Sequence, residues 1–596
     1  PETTEPETTE PETTKIEAKF KTNLKLAEQG NAKAQYDLGL MYYNGAGVLK
    51  DQAEAAKWYR KAAKRKFAPA MNNLGLLLGG DALGKPNAKE AEKWFREAAE
   101  LGNAQAHYNL AQHLAAHDGP PKEIFEHYLK AAEQDLAFAQ AQVGLLYREG
   151  KGTEANAESA REWLGKAATQ GIAEAHYNLA RMLRDGEGGE SDAAAAREHF
   201  HEAAEKGMVS AQFALAEMFA NGASGDEDEA AAVRWFREAA EQGHAAAQNN
   251  LACRLFEGRG VKANKPEAME WYLKAAEQDC IAAQFNLGRH LLKGEVDKED
   301  SATAFKWLQL AAESGHAEAA YLLGRAIEQN RNDPNEAHKF ILQAAEGGVA
   351  DAQFSAATNF EKGFGCKEDP GKAADWYAMA AEAGHASALF NLGMLYLQGK
   401  GVLADDAKAA EYLRQAAEQG VSSAQCNLGA MYENGRGVEV NPSAALRWYG
   451  LAAEQGNARA QYNVAVMLHS GRGVEMNLTE AITWYRQAAK GGHAEAQYVL
   501  ASLYDHGEGV EPSENTAVKW YGEAAAQGVA EAQLILADCY LRGRGVPTDY
   551  VLAYIWFNYA ASQGISIADQ YRMQTERFMS LDQIAQAQEM LRGRAA

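Results

Sequence analysis

Proline is scarce in this chain, with 13 residues in 596. No segment rich in proline, glycine and serine divides the interior, although single hydrophobic cores stop growing near about 250–300 residues. Hydrophobic residues make up 46% of the sequence and charged residues 24%, which is typical of folded globular proteins. The length therefore requires an architecture that grows without linkers between domains.

Cysteine is also rare, and five residues are too few for a disulfide framework. No apolar run approaches the roughly 20 residues that cross a bilayer as a helix. Basic residues are outnumbered, with 59 lysines and arginines against 82 acidic residues and a net charge of −23. Such a charge repels nucleic-acid phosphate and anionic lipid, so we expect no nucleic-acid partner. Because no long apolar run is present, we also expect no transmembrane segment.

The interior is organised by an alanine that recurs every 36 residues, with the step shortened to 33 residues twice. We number each repeat from this alanine, so that position +3 lies three residues after it. A fixed period of this length indicates a stacked array of repeats. The fifteen alanines are Ala34, Ala70, Ala106, Ala139, Ala175, Ala211, Ala247, Ala283, Ala319, Ala352, Ala388, Ala424, Ala460, Ala496 and Ala532.

Each repeat has the pattern of two helices. In the first repeat Ala34, Leu38, Met41 and Tyr42 recur at the spacing of one helical face. The glycines that follow interrupt this pattern, as expected at the end of a helix. A second apolar pattern then surrounds Trp58. The sequence therefore predicts a helix-turn-helix unit in every repeat.

All eleven tryptophans fall at one position of the second helix, and His127, His199, Phe340 and Tyr412 occupy it in the other four repeats. A large aromatic side chain buries about 150–250 Å², so we expect a structural role in which it fills the space between helices. These tryptophans are Trp58, Trp94, Trp163, Trp235, Trp271, Trp307, Trp376, Trp448, Trp484, Trp520 and Trp556.

The predicted fold is all-α: a right-handed α-solenoid, or superhelix, of about fifteen 33–36-residue helix-turn-helix repeats with terminal capping helices. The repeats occupy residues 31–564. Residues 1–15, near-copies of Pro-Glu-Thr-Thr-Glu, cannot bury a core and predict a disordered tail or tether. Residues 16–30 predict an N-terminal capping helix, and residues 565–596 predict C-terminal capping helices.

No pattern of catalytic residues is found in the sequence. The glycine-rich loops follow helices, whereas a phosphate-binding loop follows a strand. His199 and His201 are two residues apart and point to different faces of a helix, so they do not form a zinc motif. The acidic run at 226–229 lacks the ligand pattern of a calcium loop. We therefore predict no enzymatic activity, no cofactor and no metal site.

Position +3 carries asparagine in eight repeats. Because an amide both donates and accepts hydrogen bonds, a ladder of amides along a groove could hold a peptide backbone. The alternative is that each amide bonds a neighbouring loop and keeps the repeats in register. The candidate residues are Asn73, Asn109, Asn178, Asn250, Asn286, Asn391, Asn427 and Asn463.

Positions +6 and +7 vary, and repeats five to nine carry several basic residues there, interrupted by Glu217. In an acidic protein this could be a basic stripe on the concave surface, suited to an acidic peptide or a partner that bears carboxylates. The alternative is a set of scattered, solvated charges. The candidate residues are Arg181, Arg254, Arg289, His290 and Arg325.

The repeat resembles the Sel-1-like repeat, a relative of the tetratricopeptide repeat, over about residues 20–565. The matching segments include GNARAQYNVA at 456–465, GRGV at 471–474 and WYRQAA at 484–489. The resemblance implies a scaffold or adaptor, as in bacterial envelopes, host–pathogen contact, signalling and membrane-protein quality control. Some bacterial members of the family are immunity proteins against secreted toxins.

One branch of that family bridges each repeat with a disulfide. This chain departs from the branch because its cysteines occupy unrelated positions of the repeat, so neither the disulfides nor the penicillin binding of the branch is carried over. The cysteines are Cys253, Cys280, Cys366, Cys426 and Cys539.

Two functions remain open from the sequence. The first is a non-catalytic scaffold that binds a protein or peptide on the concave face of the solenoid. The second is a structural subunit of the cell envelope or extracellular space that assembles with itself, with the tail as tether or inter-subunit arm. The alanine-rich repeats suggest a bacterial protein, and the Pro-Glu-Thr tail favours an envelope or secreted location over the cytoplasm.

Overall fold

The computed structural model is built from α-helices: its described residues form 33 α-helices and one short 3-10 helix (Asp81–Leu83), without β-strands. The structure describes residues 12–223, 225, 227–294, 301–330 and 333–593. The helices fall into two units, one within Pro1–Asp300 and the other within Ser301–Ala596. The predicted all-α array of helical repeats is confirmed.

The first unit contains the N-terminal helix and the helices of the first eight anchor alanines. They are α1 (Glu12–Glu28), α2 (Ala32–Asn44), α3 (Gln52–Ala63), α4 (Ala68–Gly79), α5 (Ala88–Glu100), α6 (Ala104–Ala116), α7 (Pro121–Ala132), α8 (Ala137–Glu149), α9 (Ala157–Thr169), α10 (Ala173–Asp185), α11 (Ala193–Glu205), α12 (Val209–Ala220), α13 (Glu229–Glu241), α14 (Ala245–Glu257), α15 (Lys265–Ala276) and α16 (Ile281–Leu292).

The second unit continues the same alternation. Its helices are α17 (Ser301–Glu313), α18 (Ala317–Asn330), α19 (Pro334–Glu346), α20 (Ala350–Lys362), α21 (Pro370–Glu382), α22 (Ala386–Gln398), α23 (Asp406–Glu418), α24 (Ser422–Asn434), α25 (Pro442–Glu454), α26 (Ala458–Ser470), α27 (Leu478–Lys490), α28 (Ala494–His506), α29 (Glu514–Ala526), α30 (Ala530–Arg542), α31 (Tyr550–Ser562), α32 (Ser566–Glu576) and α33 (Leu581–Gly593).

The even-numbered helices α2 to α30 carry the anchor alanines and are the first helices of the repeats; the odd-numbered helices α3 to α31 are the second helices. Within each unit, successive helices pack against one another in chain order, most closely inside a repeat. Helix α1 begins at Glu12, four residues before the predicted boundary at residue 16. Residues 1–11 of the predicted tail lie outside the described residues.

Most second helices begin at an Asp, Asn or Ser N-cap. In repeat twelve the Asn441 side chain accepts a hydrogen bond from the backbone N–H of Ala444 at 3.0 Å. The backbone N–H of Asn441 also donates to the carbonyl of Tyr432 at 2.9 Å, which closes the loop onto the preceding helix. The cap satisfies one of the four unpaired N–H groups of a helix start and fixes where the second helix begins.

The core of each repeat differs from the prediction in one respect. Only Trp58, Trp235 and Trp307 of the eleven tryptophans are buried, and the other eight are half-buried. The residue directly after the tryptophan position is buried in all fifteen repeats. These deeper residues are Tyr59, Phe95, Tyr128, Leu164, Phe200, Phe236, Tyr272, Leu308, Ile341, Tyr377, Leu413, Tyr449, Tyr485, Tyr521 and Phe557.

Candidate functional site

The candidate binding residues all lie on the first helices. Positions +3 and +6 are three residues apart and therefore share one side of a helix. Every residue at +6 is partly or fully exposed, whereas thirteen of the fifteen residues at +7 are buried. The accessible surface, which we name the first-helix face, is formed within each unit by position +6 and by the residues at position +3 other than the buried Asn109 and Ala214.

Six of the eight candidate amides bond a side chain of the preceding repeat, and two of them, Asn109 and Asn286, do so through another asparagine. The Asn109 side chain is buried, and its Nδ2 donates to Oδ1 of Asn72 at 2.8 Å. The Nδ2 of Asn286 donates in the same way to Oδ1 of Asn249 at 3.1 Å. Both acceptors stand at position +2 of the preceding repeat. These amides therefore contribute to the register of the stack.

The other six amides also have partners within the chain, but each side chain is partly exposed. An amide has two N–H donors and an acceptor oxygen, so one contact leaves hydrogen-bonding capacity toward solvent. Their role in holding a peptide stays a prediction. The contacts within one repeat are Asn178 with the Glu174 carbonyl and Asn250 with Asn249. The contacts with the preceding repeat are Asn73 with the Tyr36 hydroxyl, Asn391 with the Tyr377 hydroxyl, Asn427 with the Met394 sulfur and Asn463 with the Tyr449 hydroxyl.

Two of the basic candidates stand at position +7 and point inward. Arg254 is 7% exposed, its Nε donates to Oε2 of Glu229 at 2.7 Å, and its guanidinium lies 4.6 Å from the ring of Phe236. His290 is buried as well and stacks on Phe256 with ring centroids 3.8 Å apart. These two residues stabilise their repeats and do not extend a basic stripe at the surface.

The three basic candidates at position +6 are partly exposed. Arg181 and Arg289 belong to the first unit and Arg325 to the second. The Nη2 of Arg289 donates to Oδ1 of Asn286 at 3.3 Å, and Nη1 of Arg325 pairs with Oε2 of Glu328 at 2.7 Å. The first-helix face of the first unit therefore presents two guanidinium groups that can meet an acidic ligand.

Glu217 stands at position +6 between the repeats of Arg181 and Arg289. Burial raises the pKa of its carboxyl group, and the charge of Arg184 partly opposes this. Glu217 therefore places an acidic group between the two arginines of the first unit.

An apolar hollow of about 380 Å³ opens on the first-helix face at the start of the first unit. Leu40 and Leu76 at position +6 form its walls together with Tyr43, and Asn73 at position +3 lies in its lining. Concave apolar surface with a few polar groups is the usual form of a binding site. The candidate Asn73 is therefore beside a place where an apolar side chain of a ligand fits.

A second hollow, of about 620 Å³, lies between α9 and α12 and contains a histidine pair. The Nδ1 atoms of His176 and His199 are 2.9 Å apart. Repeat three has the same pair, His107 with His127, at 2.9 Å. Burial lowers the pKa of all four imidazoles, most of all that of His107, to about 4.

The histidine pairs carry a signal that the sequence analysis missed. His199 and His201 are close in the chain, but the contact partner of His199 is His176 from the first helix of the same repeat. Only these two repeats have histidine at position +1, and only they have histidine at the tryptophan position. Paired changes at two positions of one repeat indicate a contact between them.

Among the described residues, no group of three or more His, Cys, Asp or Glu side chains is placed to hold a metal ion. All five cysteines are free thiols. None of the helices in the described ranges combines the length and apolar character that crossing a membrane requires.

Comparison with known proteins gives one family. The model of the Sel1 repeat matches residues 32–67, 68–103, 125–136, 137–172, 173–208, 209–244, 245–280, 281–316, 317–349, 350–385, 386–421, 422–457, 458–493, 494–529 and 530–565. No curated protein matches the chain.

Several solved structures are similar to the chain. A Sel1 repeat protein from Oxalobacter formigenes is 33% identical over 54% of this chain and 92% of its own, with a TM-score of 0.45. A protective antigen of uropathogenic Escherichia coli is 24% identical over 96% of this chain and 92% of its own, with a TM-score of 0.35. An immunity protein from Pseudomonas aeruginosa is 20% identical over 35% of this chain and 81% of its own, with a TM-score of 0.24. With fifteen matched repeats that cover most of its length, the chain belongs to the Sel1 repeat family.

Proposed function

We propose that this protein is a non-catalytic scaffold that binds a protein or peptide partner on the first-helix face. Sel1 repeats generally mediate protein binding, and the family match covers most of the chain. The observation that carries the proposal is the hollow formed by Leu40, Tyr43 and Leu76 beside Asn73. It offers apolar surface for a side chain and an amide for the backbone of one ligand.

The chemistry of the partner follows from the charges along the same face. Arg181 and Arg289 stand partly exposed in the first unit. We infer a peptide that bears an apolar side chain for the hollow and carboxylates for the guanidinium groups. Complementary charge contributes mainly to selectivity and to the rate of association.

The hollow is tested with peptides selected from a displayed twelve-residue library on the full chain. Leu76→Glu places a charge in the hollow and should weaken the selected peptides at least tenfold. Leu101→Glu is the matched control because Leu101 is 48% exposed and Leu76 is 51% exposed, but Leu101 lies outside the hollow. Equal affinities for both variants and the parent protein would remove the hollow from the proposal.

The arginines are tested by charge reversal. Arg181→Glu with Arg289→Glu should weaken acidic peptides at least tenfold, whereas Lys89→Glu with Lys130→Glu makes the same change in net charge on the second helices and should leave binding intact. Fluorescence anisotropy of the selected peptides measures both. Equal losses in the two double variants would show that only the net charge matters.

A further inference from the structure

Three consecutive loops of the second unit carry the same exposed pair of residues. These loops join the first and second helices of repeats twelve, thirteen and fourteen. Each has an exposed glutamate at position +15, followed by an exposed apolar residue at position +16. The pairs, which we name the loop row, are Glu439 with Val440, Glu475 with Met476 and Glu511 with Pro512.

The three loops have the same backbone. In each loop the N-cap residue donates its backbone N–H to a carbonyl near the end of the first helix at 2.9 Å. A glycine in each loop also lies against the start of the second helix in the preceding repeat. Equivalent backbones give equivalent side-chain directions, so the loop row repeats one exposed pair along one edge of the stack. The bonded pairs are Asn441 with Tyr432, Asn477 with Leu468 and Ser513 with Tyr504.

The apolar members of the loop row remain exposed in the fold. A residue just before an N-cap often packs on the first turns of its helix. Val440 and Met476 stand at that place but are 62% and 67% exposed. An apolar side chain buried by a partner contributes about 25 cal/mol per Å² removed from water. Val440 and Met476 still have most of their apolar surface in contact with water.

The acidic members of the loop row also make no ion pair with the residues that the structure describes. No ion pair joins Glu439, Glu475 or Glu511 to a described cation. The arginines of the same loops are already engaged: Nε of Arg436 lies 2.8 Å from Oδ1 of Asp406, and Arg472 pairs with Glu433. The row therefore presents carboxylates and apolar surface.

We propose that the loop row binds a basic segment of a protein partner. Lysine or arginine side chains of the segment meet the glutamates, and its apolar side chains cover Val440 and Met476. The argument is charge complementarity between unpaired carboxylates and a cationic ligand in a protein of net charge −23. The site is separate from the first-helix face, where we propose an acidic ligand, so each can fail without the other.

Other repeats supply residues that the loop backbone accepts. Position +15 is lysine at Lys262, and position +16 is alanine at Ala155 and Ala263. Substitutions of the row to lysine and alanine therefore place residues that already stand at these positions of the same fold. Glu154 and Glu190 are exposed at position +15 in two consecutive repeats of the first unit, but small residues follow them.

The test uses the full chain and a fluorescent twelve-residue peptide of alternating lysine and leucine, measured by anisotropy at 150 mM salt. Glu439→Lys with Glu475→Lys should weaken binding at least tenfold, and so should Val440→Ala with Met476→Ala. Glu154→Lys with Glu190→Lys is the control, because it changes the net charge equally at the same loop position. It should leave the affinity within twofold of the parent protein.

Several outcomes overturn the proposal. Equal losses in the two glutamate variants would mean that the peptide senses only the net charge. An unchanged affinity in the valine and methionine variant would remove the apolar contact, and binding of a peptide with glutamate in place of lysine would contradict the charge argument. If light scattering shows that the protein self-associates and that Val440→Ala with Met476→Ala abolishes this, the loop row would be assigned to binding a second copy of the chain.

Discussion

The Nδ1 atom of His107 lies 2.9 Å from the Nδ1 atom of His127. Because both atoms are nitrogens, one ring donates its proton and the other accepts it. The two residues occupy positions that carry glutamine and tryptophan in the first repeat, as Gln35 and Trp58. The pair is therefore a local exchange of two side chains, and it makes one repeat sensitive to acid.

Acid should destabilise the protein through this pair. The unfolded chain takes up a proton near the usual pKa of about 6.5, whereas burial holds the pKa of folded His107 at about 4. Between these values the unfolded state binds more protons. The stability is therefore fully present above pH 6.5 and is lost as the pH falls toward 4.

The measurement compares the parent protein with His107→Gln, His127→Trp, which restores the residues of the first repeat. Unfolding midpoints between pH 4 and pH 8 should fall less steeply in the variant. Parallel pH profiles would show that the pair makes no contribution.

Truncation to alanine should destabilise the protein by different amounts at two neighbouring residues of one repeat, Tyr272 and Trp271. Tyr272→Ala removes a side chain that is 1% exposed and should cost about 3–5 kcal/mol. Trp271→Ala removes a half-buried ring that lies 4.0 Å from Nζ of Lys274 and should cost about 1–2 kcal/mol. Urea unfolding gives both values, and hydrogen exchange should confine the damage to neighbouring repeats. The reverse order would restore tryptophan as the main anchor.

Alanine should be tolerated unequally at two loop glycines with positive φ. A Cβ atom on Gly437, where φ is 69°, would overlap the backbone carbonyl of Asp406. A Cβ on Gly456, where φ is 84°, meets nothing within 4 Å. The left-handed backbone costs each alanine about 1–2 kcal/mol, and the overlap should add about 1–3 kcal/mol at Gly437. Thermal unfolding of both variants measures the difference, and equal losses would contradict it.

One ion pair between repeats should tolerate exchange of its charges. Arg148 binds Glu187 through two bonds, Nε to Oε2 at 2.7 Å and Nη2 to Oε1 at 2.8 Å. Repeat pairs later in the chain place the acid first, as in Glu433 with Arg472. Arg148→Glu alone should destabilise by about 1 kcal/mol, and adding Glu187→Arg should recover most of it. A double-mutant cycle measures the coupling, and additive losses would argue against the pair.

The period of the sequence was sufficient for the helix pairs but not for the depth of each side chain. Trp271 and Tyr272 are both aromatic, and successive residues of a helix differ by about 100° around its axis. Only the position of the neighbouring helices decides which of them points inward. The available signal was the residue after the tryptophan position, which is Tyr, Phe, Leu or Ile in every repeat.

The same rotation of about 100° per residue explains why the basic candidates differ in burial. Arg289 at position +6 reaches solvent, whereas Arg254 at position +7 is buried against Glu229. In the sequence the two positions are alike, because both vary between repeats and both carry arginine. Their difference follows from packing, because an arginine can be buried when a carboxylate on the second helix of the preceding repeat pairs with it. No pattern within the first helices reports that partner.

In most repeats a loop glycine lies against the helix that precedes the repeat, and this contact has a genetic consequence. Gly437 lies on Asp406 just as Gly473 lies on Pro442, so consecutive copies meet through equivalent joints. Unequal crossing-over between copies of the coding repeat would delete or duplicate 36 residues and leave a joint of a kind that the protein already contains. Gain or loss of a whole copy would therefore change the length of the array and of its first-helix face, while each repeat would fold in the same way.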